Sequence, residues 1–335
     1  MPASAHRPFV IITHALPEGW LALLQANCDM LIGPADAAGL APELLARLGE
    51  AEGLFTLLTV RVDEALLQKA PRLRVVSNMA VGVDNIDLAA CTRRGIPVGH
   101  TPGVLTEATA DLALALLLAA ARRLPESSRD AREGRWTTWS PTGWLGADLP
   151  GATLGIVGMG KIGQAVATRA RGFGLRILYA DRNARPEVET NLDAQRVELI
   201  DLLRQSDFVS LHVPLVAETR HLINESALRA MRRTAILINT ARGGVVDTAA
   251  LCRALNEGWI GGAALDVTDP EPLPPDHPLY SFPNCLIVPH IGSATVGARR
   301  RMAERACDNL LAGLEGRPLP HCANPEVYPS RPAGS

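Results

Sequence analysis

Short runs of apolar residues, many of them β-branched, alternate along the chain with segments that have helical spacing. In the first part of the chain these runs predict four strands, at 9–14, 53–59, 73–80 and 96–101, and residues 21–27 predict a helix between the first two. Strands that alternate with helices in this way are typical of a parallel sheet covered on both faces. We therefore expect an α/β domain here.

A second alternating series begins near residue 153. A long helix is predicted before it, at 104–123, and an arginine-rich helix after it, at 294–316. The fold class that follows is α/β, with two doubly wound parallel-sheet domains. The apolar runs of the second series predict six strands, at 153–158, 175–180, 207–213, 234–240, 262–267 and 285–290.

Residues 124–150 interrupt the alternation. They hold three of the five tryptophans together with prolines and glycines, which predicts the end of a helix and then a long loop. Two interpretations are open: a surface loop anchored by tryptophans, or the wall of a pocket or subunit interface. The tail after residue 317 is rich in proline and is predicted to be extended.

Length and composition narrow the class of protein. A chain of 335 residues is long enough for about two domains. Its 33 basic and 35 acidic residues nearly cancel, so no nucleic-acid partner is expected. The longest apolar run, at 112–121, is far shorter than the ~20 residues that a membrane span needs, and no signal peptide is evident, so no membrane partner is expected. Six scattered cysteines without a CxxC pair predict reduced thiols in a cytoplasmic protein and no metal site.

The first motif with chemical meaning follows the strand at 153–158. Gly158, Gly160 and Gly163 form a GxGxxG pattern between that strand and a helix, and Asp181 ends the next strand. In a Rossmann unit the first glycine makes the tight turn, the second lets the backbone approach a pyrophosphate, and the third lets helix and strand pack closely. The phosphates bind at the helix N-terminus. The motif therefore predicts a dinucleotide cofactor.

The residues around Asp181 give conflicting signals about which cofactor binds. A carboxylate at this position is expected to accept a hydrogen bond from the adenosine ribose 2′-OH, which favours NADH. Arg182 and Arg185 could instead pair with the 2′-phosphate of NADPH. Because a carboxylate repels a phosphate, the sequence favours NADH mildly, and NADPH stays open.

Three side chains suited to the reduction of a 2-oxo acid lie at or after the carboxyl ends of predicted strands, the edge where such sheets bind ligands. The reaction needs a hydride at the carbonyl carbon and a proton at its oxygen. Arg242 can bind the substrate carboxylate through its planar fork, His290 can donate the proton, and Glu271 can orient the imidazole and favour its charged form. Other histidines lack such partners and are predicted to be structural: His100, His212 and His277.

Four segments together resemble the D-isomer-specific 2-hydroxyacid dehydrogenase family: 157–163, 239–247, 265–274 and 289–295. The resemblance extends over nearly the whole chain. It implies NAD(P)H-dependent reduction of the small 2-oxo acids glyoxylate and hydroxypyruvate to glycolate and D-glycerate. Further motifs of this chain are most similar to those of family members with that activity. They lie at 79–87, 100–113, 122–127, 134–141 and 271–279.

The resemblance also implies roles for individual residues. Arg242, Glu271 and His290 match the catalytic residues of the family. The backbone amides of Val81 and Gly82 match those that hold the substrate carboxylate. Ser293 matches a residue beside the site. Trp139 matches a tryptophan that reaches into the partner subunit's pocket. A larger group matches cofactor contacts: Thr109, Lys161, Ile162, Pro214, Thr240, Asp266 and Gly292.

The family's architecture gives further expectations. A Rossmann cofactor domain at 104–290 is inserted into a flavodoxin-like substrate domain made of 1–103 and 291–335. The enzymes are homodimers in which residues 104–150 form much of the interface. Asp181 departs from the related eukaryotic reductases, which have no acid there and prefer NADPH.

Alternatives remain within and outside the family. A 2-ketogluconate reductase, a D-lactate dehydrogenase or a phosphite dehydrogenase would share the Arg/Glu/His set. A dinucleotide-sensing scaffold would keep the Rossmann fold without turnover, but no appended tail or low-complexity segment favours it. An L-specific dehydrogenase carries its fingerprint near the N-terminus, whereas here the fingerprint begins at Gly158.

Overall fold

The computed structural model describes residues 6–329, and the chain divides into two compact units. The discontinuous unit combines Met1–Leu105 with Thr295–Ser335, and the central unit is Thr106–Ala294. The expected domain limits differ from these by a few residues. That the discontinuous unit binds substrate and the central unit binds the cofactor stays a prediction.

The first segment of the discontinuous unit forms a parallel sheet. Its strands are β1 (Phe9–Ile12), β2 (Asp29–Ile32), β3 (Gly53–Thr56), β4 (Val75–Asn78) and β5 (Val98–Gly99), and its helices are α1 (Ala22–Asn27), α2 (Pro42–Ala46), α3 (Glu64–Gln68) and α4 (Leu88–Arg93). The strand order is β2-β1-β3-β4-β5, which is the flavodoxin-like order. All residues of β3 and β4 are buried, as expected of inner strands covered on both faces.

The central unit alternates strands and helices throughout. Its strands are β6 (Thr153–Val157), β7 (Arg176–Ala180), β8 (Gln195–Arg196), β9 (Phe208–Leu211), β10 (Ile236–Asn239), β11 (Gly262–Leu265) and β12 (Cys285–Ile287). Its helices are α5 (Thr106–Ala121), α6 (Leu124–Arg132), α7 (Lys161–Arg171), α8 (Pro186–Leu192), α9 (Leu199–Gln205), α10 (Glu225–Ala230) and α11 (Thr248–Asn256).

The order of the central sheet defines where a ligand can bind. All neighbouring strands are parallel, in the order β12-β11-β10-β9-β6-β7-β8. The chain starts in the middle at β6, proceeds outward through β7 and β8, and returns to add β9 on the other side. The carboxyl ends of β6 and β9 therefore flank the point where the strand order reverses, which is the ligand-binding position in doubly wound sheets.

The last helix completes the discontinuous unit. Helix α12 (Val296–Leu314) packs against β3 and β4 and buries Met302, Ala306 and Leu310 in the same cluster as Val10 and Phe55. After α12 the chain includes a short 3₁₀ helix, Pro325–Val327, where the sequence predicts an extended tail. The buried Asn324 side chain fixes this segment by accepting from the Val98 N–H and donating to the Ile96 carbonyl.

Three other elements differ from the sequence-based prediction. The central sheet has seven strands instead of six, because the two-residue β8 joins its edge beside β7. The sequence does not predict β2, since none of its residues is fully buried and no apolar run marks it clearly. Helix α6 occupies the first part of the segment expected to be a loop, and it buries none of its residues. Within residues 6–329, no helix combines the length and the apolar character needed to cross a membrane.

Candidate active site

The glycine-rich turn between β6 and α7 has the geometry of a dinucleotide-binding turn. Gly158 has φ +95°, and a Cβ there would lie 2.8 Å from the His212 backbone. A Cβ on Gly163 would lie 2.2 Å from the Gly158 carbonyl oxygen, so helix and strand are in direct backbone contact. A Cβ on Gly160 would meet nothing within 4 Å. Gly160 caps α7 without a side-chain hydrogen bond, so the helix presents free N–H groups beside open space, which fits a pyrophosphate.

Asp181 faces this turn. Its Oδ2 accepts a hydrogen bond from the Met159 N–H at 2.8 Å, and its Oδ1 accepts from the Asn183 N–H at 3.0 Å. Arg182 is exposed, while Arg185 is half-buried and its Nε finds no hydrogen-bond partner in the described part of the chain. The structure therefore brings the acid to the glycine turn and leaves one arginine at the surface.

Polar residues directly follow three neighbouring strands of the central sheet: His212 after β9, Thr240 after β10 and Asp266 after β11. His212 Nδ1 and Thr240 Oγ1 are buried and have no hydrogen-bond partner among residues 6–329. His212 Nε2 pairs with Ser210 Oγ at 2.8 Å, and burial lowers the pKa of His212 to about 4, so its ring is neutral near pH 7. Buried polar atoms without partners are costly, and at this edge they fit a bound cofactor.

Asp266 organises the loop that follows β12. Its two carboxylate oxygens accept from the N–H groups of Ile291 and Gly292, at 2.6 and 2.8 Å, and burial raises its pKa. Thr109 on α5 donates to the Gly292 carbonyl at 3.2 Å. Three predicted contact residues, Thr109, Asp266 and Gly292, thus form one buried cluster, and Ser293 follows it directly. The remaining predicted cofactor residues are half-buried or exposed, at the start of α7 and in the segment after β9: Lys161, Ile162 and Pro214.

His290 and Glu271 form a hydrogen-bonded pair. His290 Nδ1 and Glu271 Oε1 are 2.5 Å apart, and the two side chains keep 26% and 33% of their surface exposed. Glu271 Oε2 also accepts from the Thr268 N–H at 3.1 Å. Burial alone would raise the pKa of Glu271, but the contact with His290 and the nearby charge of Arg242 hold it below its usual value. Glu271 is therefore an ionised acceptor that leaves His290 Nε2 as the nitrogen available for proton transfer.

The loops after β10 and β11 touch closely enough to bring Arg242 to this pair. Arg242 precedes a 3₁₀ helix at Gly243–Val245, and a Cβ on Gly243 would lie 1.9 Å from the Thr268 carbonyl oxygen. Only glycine fits that approach. Asn239 fixes the loop by donating to the Arg242 carbonyl at 2.9 Å and accepting from the Ala241 N–H at 3.0 Å. Arg242, Glu271 and His290 are thus neighbours at this edge of the central sheet.

The discontinuous unit carries the other residues that are predicted to bind the substrate carboxylate. The loop after β4 contains Val81 and Gly82, both half-buried, and their N–H groups donate to no acceptor within the described residues. Free neighbouring amides of this kind can bind an anion. Trp139 belongs to the exposed stretch that follows α6 and is itself 80% exposed.

Comparison with known proteins identifies the family of this chain. Residues 114–292 match the model of the D-isomer specific 2-hydroxyacid dehydrogenase family, NAD binding domain. A glyoxylate reductase of Thermococcus kodakarensis is 50% identical over 332 residues, which are 98% of this chain and 99% of the relative. A crystal structure of a Thermus thermophilus protein, 50% identical, has a TM-score of 0.87 and covers 94% of this chain and 99% of its own.

A further solved structure carries a cofactor. It is an NADPH-dependent glyoxylate/hydroxypyruvate reductase of Sinorhizobium meliloti in complex with NADP and malonate, with 32% identity, a TM-score of 0.83, and coverage of 97% of this chain and 99% of its own. The chain belongs to the D-isomer-specific 2-hydroxyacid dehydrogenase family. The predicted fold class and the predicted class of enzyme, an NAD(P)-dependent oxidoreductase, are confirmed, and so is the similarity to the glyoxylate-reducing members.

Proposed function

We propose that this enzyme reduces glyoxylate to glycolate and hydroxypyruvate to D-glycerate with NAD(P)H. The single observation that supports this most is the hydrogen-bonded His290–Glu271 pair beside Arg242, in the same unit as the glycine-rich turn. A proton donor and a carboxylate-binding cation are the groups that reduction of a 2-oxo acid requires. Two relatives that share 49% and 50% of their residues with this chain are named glyoxylate reductases, which supports the choice of substrate.

The chain's own residues have separate tasks in this proposal. When bound, the reduced nicotinamide supplies the hydride. Arg242 binds the substrate carboxylate and holds the carbonyl in a fixed orientation. The free amides of Val81 and Gly82 are also proposed to donate to a carboxylate. His290 Nε2 donates a proton to the carbonyl oxygen as negative charge develops there, and Glu271 stabilises the imidazolium until the proton leaves. The neutral imidazole is then protonated again from solvent.

A panel of initial rates tests the substrate. We expect kcat/KM to be highest for glyoxylate and hydroxypyruvate when they are compared with pyruvate and 2-ketogluconate, each with NADH and with NADPH. A maximum at pyruvate or 2-ketogluconate would assign the chain to another activity of the family. Tight cofactor binding without turnover of any 2-oxo acid would support a dinucleotide-sensing scaffold.

We further propose that NADH is the preferred cofactor because of Asp181. Replacing it with Asn keeps an oxygen that can accept from the Met159 N–H but removes the charge. NADH binding should weaken, because a charge-assisted hydrogen bond to the ribose is worth about 1.5–3 kcal/mol, while NADPH binding should tighten as repulsion of its phosphate disappears. Dissociation constants measured by fluorescence titration give both changes.

Asp201 on α9 provides the matched control. Asp201→Asn removes one exposed carboxylate of the same unit and should change neither dissociation constant. The preference for NADH is contradicted if Asp181→Asn leaves both cofactors unaffected and Arg182→Ala selectively weakens NADPH.

We also propose a cytoplasmic homodimer that uses residues 104–150. Two tryptophans and a leucine after α6 are largely exposed, Trp136 at 73%, Trp139 at 80% and Leu145 at 66%, and apolar groups gathered in this way favour a protein interface. The six cysteines are unpaired thiols, which a reducing compartment maintains. The molar mass in solution tests the dimer: a monomer at micromolar concentration would contradict it.

A further inference from the structure

The loop after β4 holds three successive carbonyl groups in fixed directions. The Ala80 carbonyl accepts from the Thr101 N–H at 2.8 Å, the Val81 carbonyl from His100 Nδ1 at 3.0 Å, and the Gly82 carbonyl from Asn78 Nδ2 at 3.0 Å. In a trans peptide the C=O and N–H groups point in opposite directions. The N–H groups of Val81, Gly82 and Val83 therefore point away from these donors, and none of them has an acceptor within residues 6–329.

His100 is the titratable residue among these donors, and its hydrogen-bonding state is defined by its partner. Because a carbonyl oxygen carries no hydrogen, the contact with Val81 requires His100 Nδ1 to be the donor. This holds for the neutral ring and for the imidazolium. The Val81 carbonyl and the Gly82 N–H belong to the same peptide group. The imidazole therefore binds the carbonyl side of this peptide, and the free N–H donor lies on the opposite side.

The position of His100 is itself strongly constrained. It directly follows β5, and its own N–H donates to the His321 carbonyl at 3.1 Å. Its carbonyl accepts from Nδ2 of Asn309, a fully buried residue of α12, at 2.9 Å. A Cβ on Gly99 would lie 2.6 Å from the Asn309 Cβ, so the helix is packed directly on the strand before His100. The backbone that carries the imidazole is thus closely packed and hydrogen-bonded within the discontinuous unit.

We infer that His100 is a positioning residue for the substrate carboxylate: it orients the Val81–Gly82 peptide and polarises its N–H toward the anion. The inference rests on the proposed function for the carboxylate, and it adds a residue that the sequence pattern predicts to be merely structural. Hydrogen bonds in a chain strengthen one another, and an amide whose carbonyl is bonded becomes a better donor. His100 touches neither the reacting carbonyl nor the cofactor in this role, so it should act on binding of the acid and hardly on the chemical step.

Two substitutions separate orientation from simple loss of a side chain. His100→Ala removes the donor to the Val81 carbonyl. His100→Asn is the conservative variant, because an Asn side-chain N–H group can lie close to the position of Nδ1 and can donate to the same oxygen. We expect His100→Ala to raise KM for glyoxylate about 3- to 10-fold with kcat within about twofold of the wild type, and His100→Asn to restore most of the loss.

A carboxylate that cannot be reduced gives a readout independent of turnover. Oxamate binding to the NADH complex, measured by calorimetry, should weaken in His100→Ala by the same factor as KM rises, while the dissociation constant of NADH stays constant. His277→Ala, which removes a histidine that caps a 3₁₀ helix in the central unit, serves as the control and should leave oxamate binding unchanged. Thermal unfolding of each variant shows whether a loss reflects misfolding.

The possible outcomes discriminate between the two hypotheses. If His100→Ala is folded and binds oxamate as the wild type does, or if His100→Asn is as impaired as His100→Ala, the role of His100 is refuted while the proposed reaction stands. If the wild type binds oxamate in a His100-dependent manner but does not turn over glyoxylate, the proposed substrate is wrong and the positioning role stands.

Discussion

His290→Ala is expected to lower kcat for glyoxylate reduction by about 10²- to 10⁴-fold, the range for loss of a positioned general acid. The physical reason lies in the pairing of the ring. Nδ1 is held by Glu271 at 2.5 Å, so the proton that the substrate needs comes from Nε2, and water in its place would be neither oriented nor charged. Stopped-flow measurement of single-turnover rates gives the loss in the chemical step directly.

The cofactor supplies the control for this variant. His290 is not among the predicted cofactor contacts, so the dissociation constant of NADH should stay within about twofold of the wild type, well below the ~10²-fold effect expected on kcat. If His290→Ala retains near-normal single-turnover rates, the assignment of the proton donor is wrong.

Glu271→Gln tests the same pair through its effect on the rate. The contact with His290 and the nearby charge of Arg242 hold the pKa of Glu271 below its usual value, so this carboxyl is ionised at neutral pH. Removing the carboxylate charge takes away a stabilising partner of the imidazolium that donates the proton. We therefore expect kcat for glyoxylate to fall in the variant, and an unchanged kcat in steady-state assays would contradict the pairing.

Arg242→Lys is expected to lower kcat/KM for 2-oxo acids by about 10- to 100-fold, although the positive charge is kept. A guanidinium can form two parallel hydrogen bonds to a carboxylate, whereas an ammonium binds as a point charge without that geometry. The loss corresponds to a charge-assisted hydrogen bond of about 1.5–3 kcal/mol. Steady-state kinetics with glyoxylate provide the measurement.

An exposed arginine of the same unit offers a matched substitution. Arg253 on α11 pairs with Glu225 at the surface, and Arg253→Lys should leave kcat/KM unchanged. Retention of full kcat/KM in Arg242→Lys would mean that the substrate carboxylate is held by other groups.

The sequence predicts the inner strands, and the positions where these strands end, for a physical reason. Inner parallel strands such as β9 and β10 are buried on both faces, so they are largely apolar, and their carboxyl ends are easily located. Reading the residues that follow β10, β11 and β12 is enough to predict Arg242, Glu271 and His290 as one site. Edge strands such as β2 and β8 bury little, so their composition carries no comparable signal.

Contacts made by the backbone are the part that the sequence does not reveal. The Met159 N–H that holds Asp181 and the Val81 carbonyl that receives His100 have no side-chain signature. His100 and His212 have no partner in the sequence pattern, and only the register of neighbouring segments shows what their nitrogens reach. The direction of the free amides at Val81 and Gly82 likewise depends on two carbonyl bonds, which Ala80 and Val81 form with Thr101 and His100, about 20 residues further along the chain.

The return of the chain in α12 has a consequence for synthesis on the ribosome. Val10, Phe55 and Val75 of the first sheet are covered by Met302, Ala306 and Leu310, which are made roughly 200 residues after the sheet is complete. At about 5–20 residues per second, that sheet face waits about 10–40 s for its cover, while the whole central unit is translated in between. An uncovered apolar sheet is prone to aggregation during such an interval. The nascent chain is therefore most vulnerable just before its last helix emerges, and this is the stage at which a holdase chaperone would protect it most.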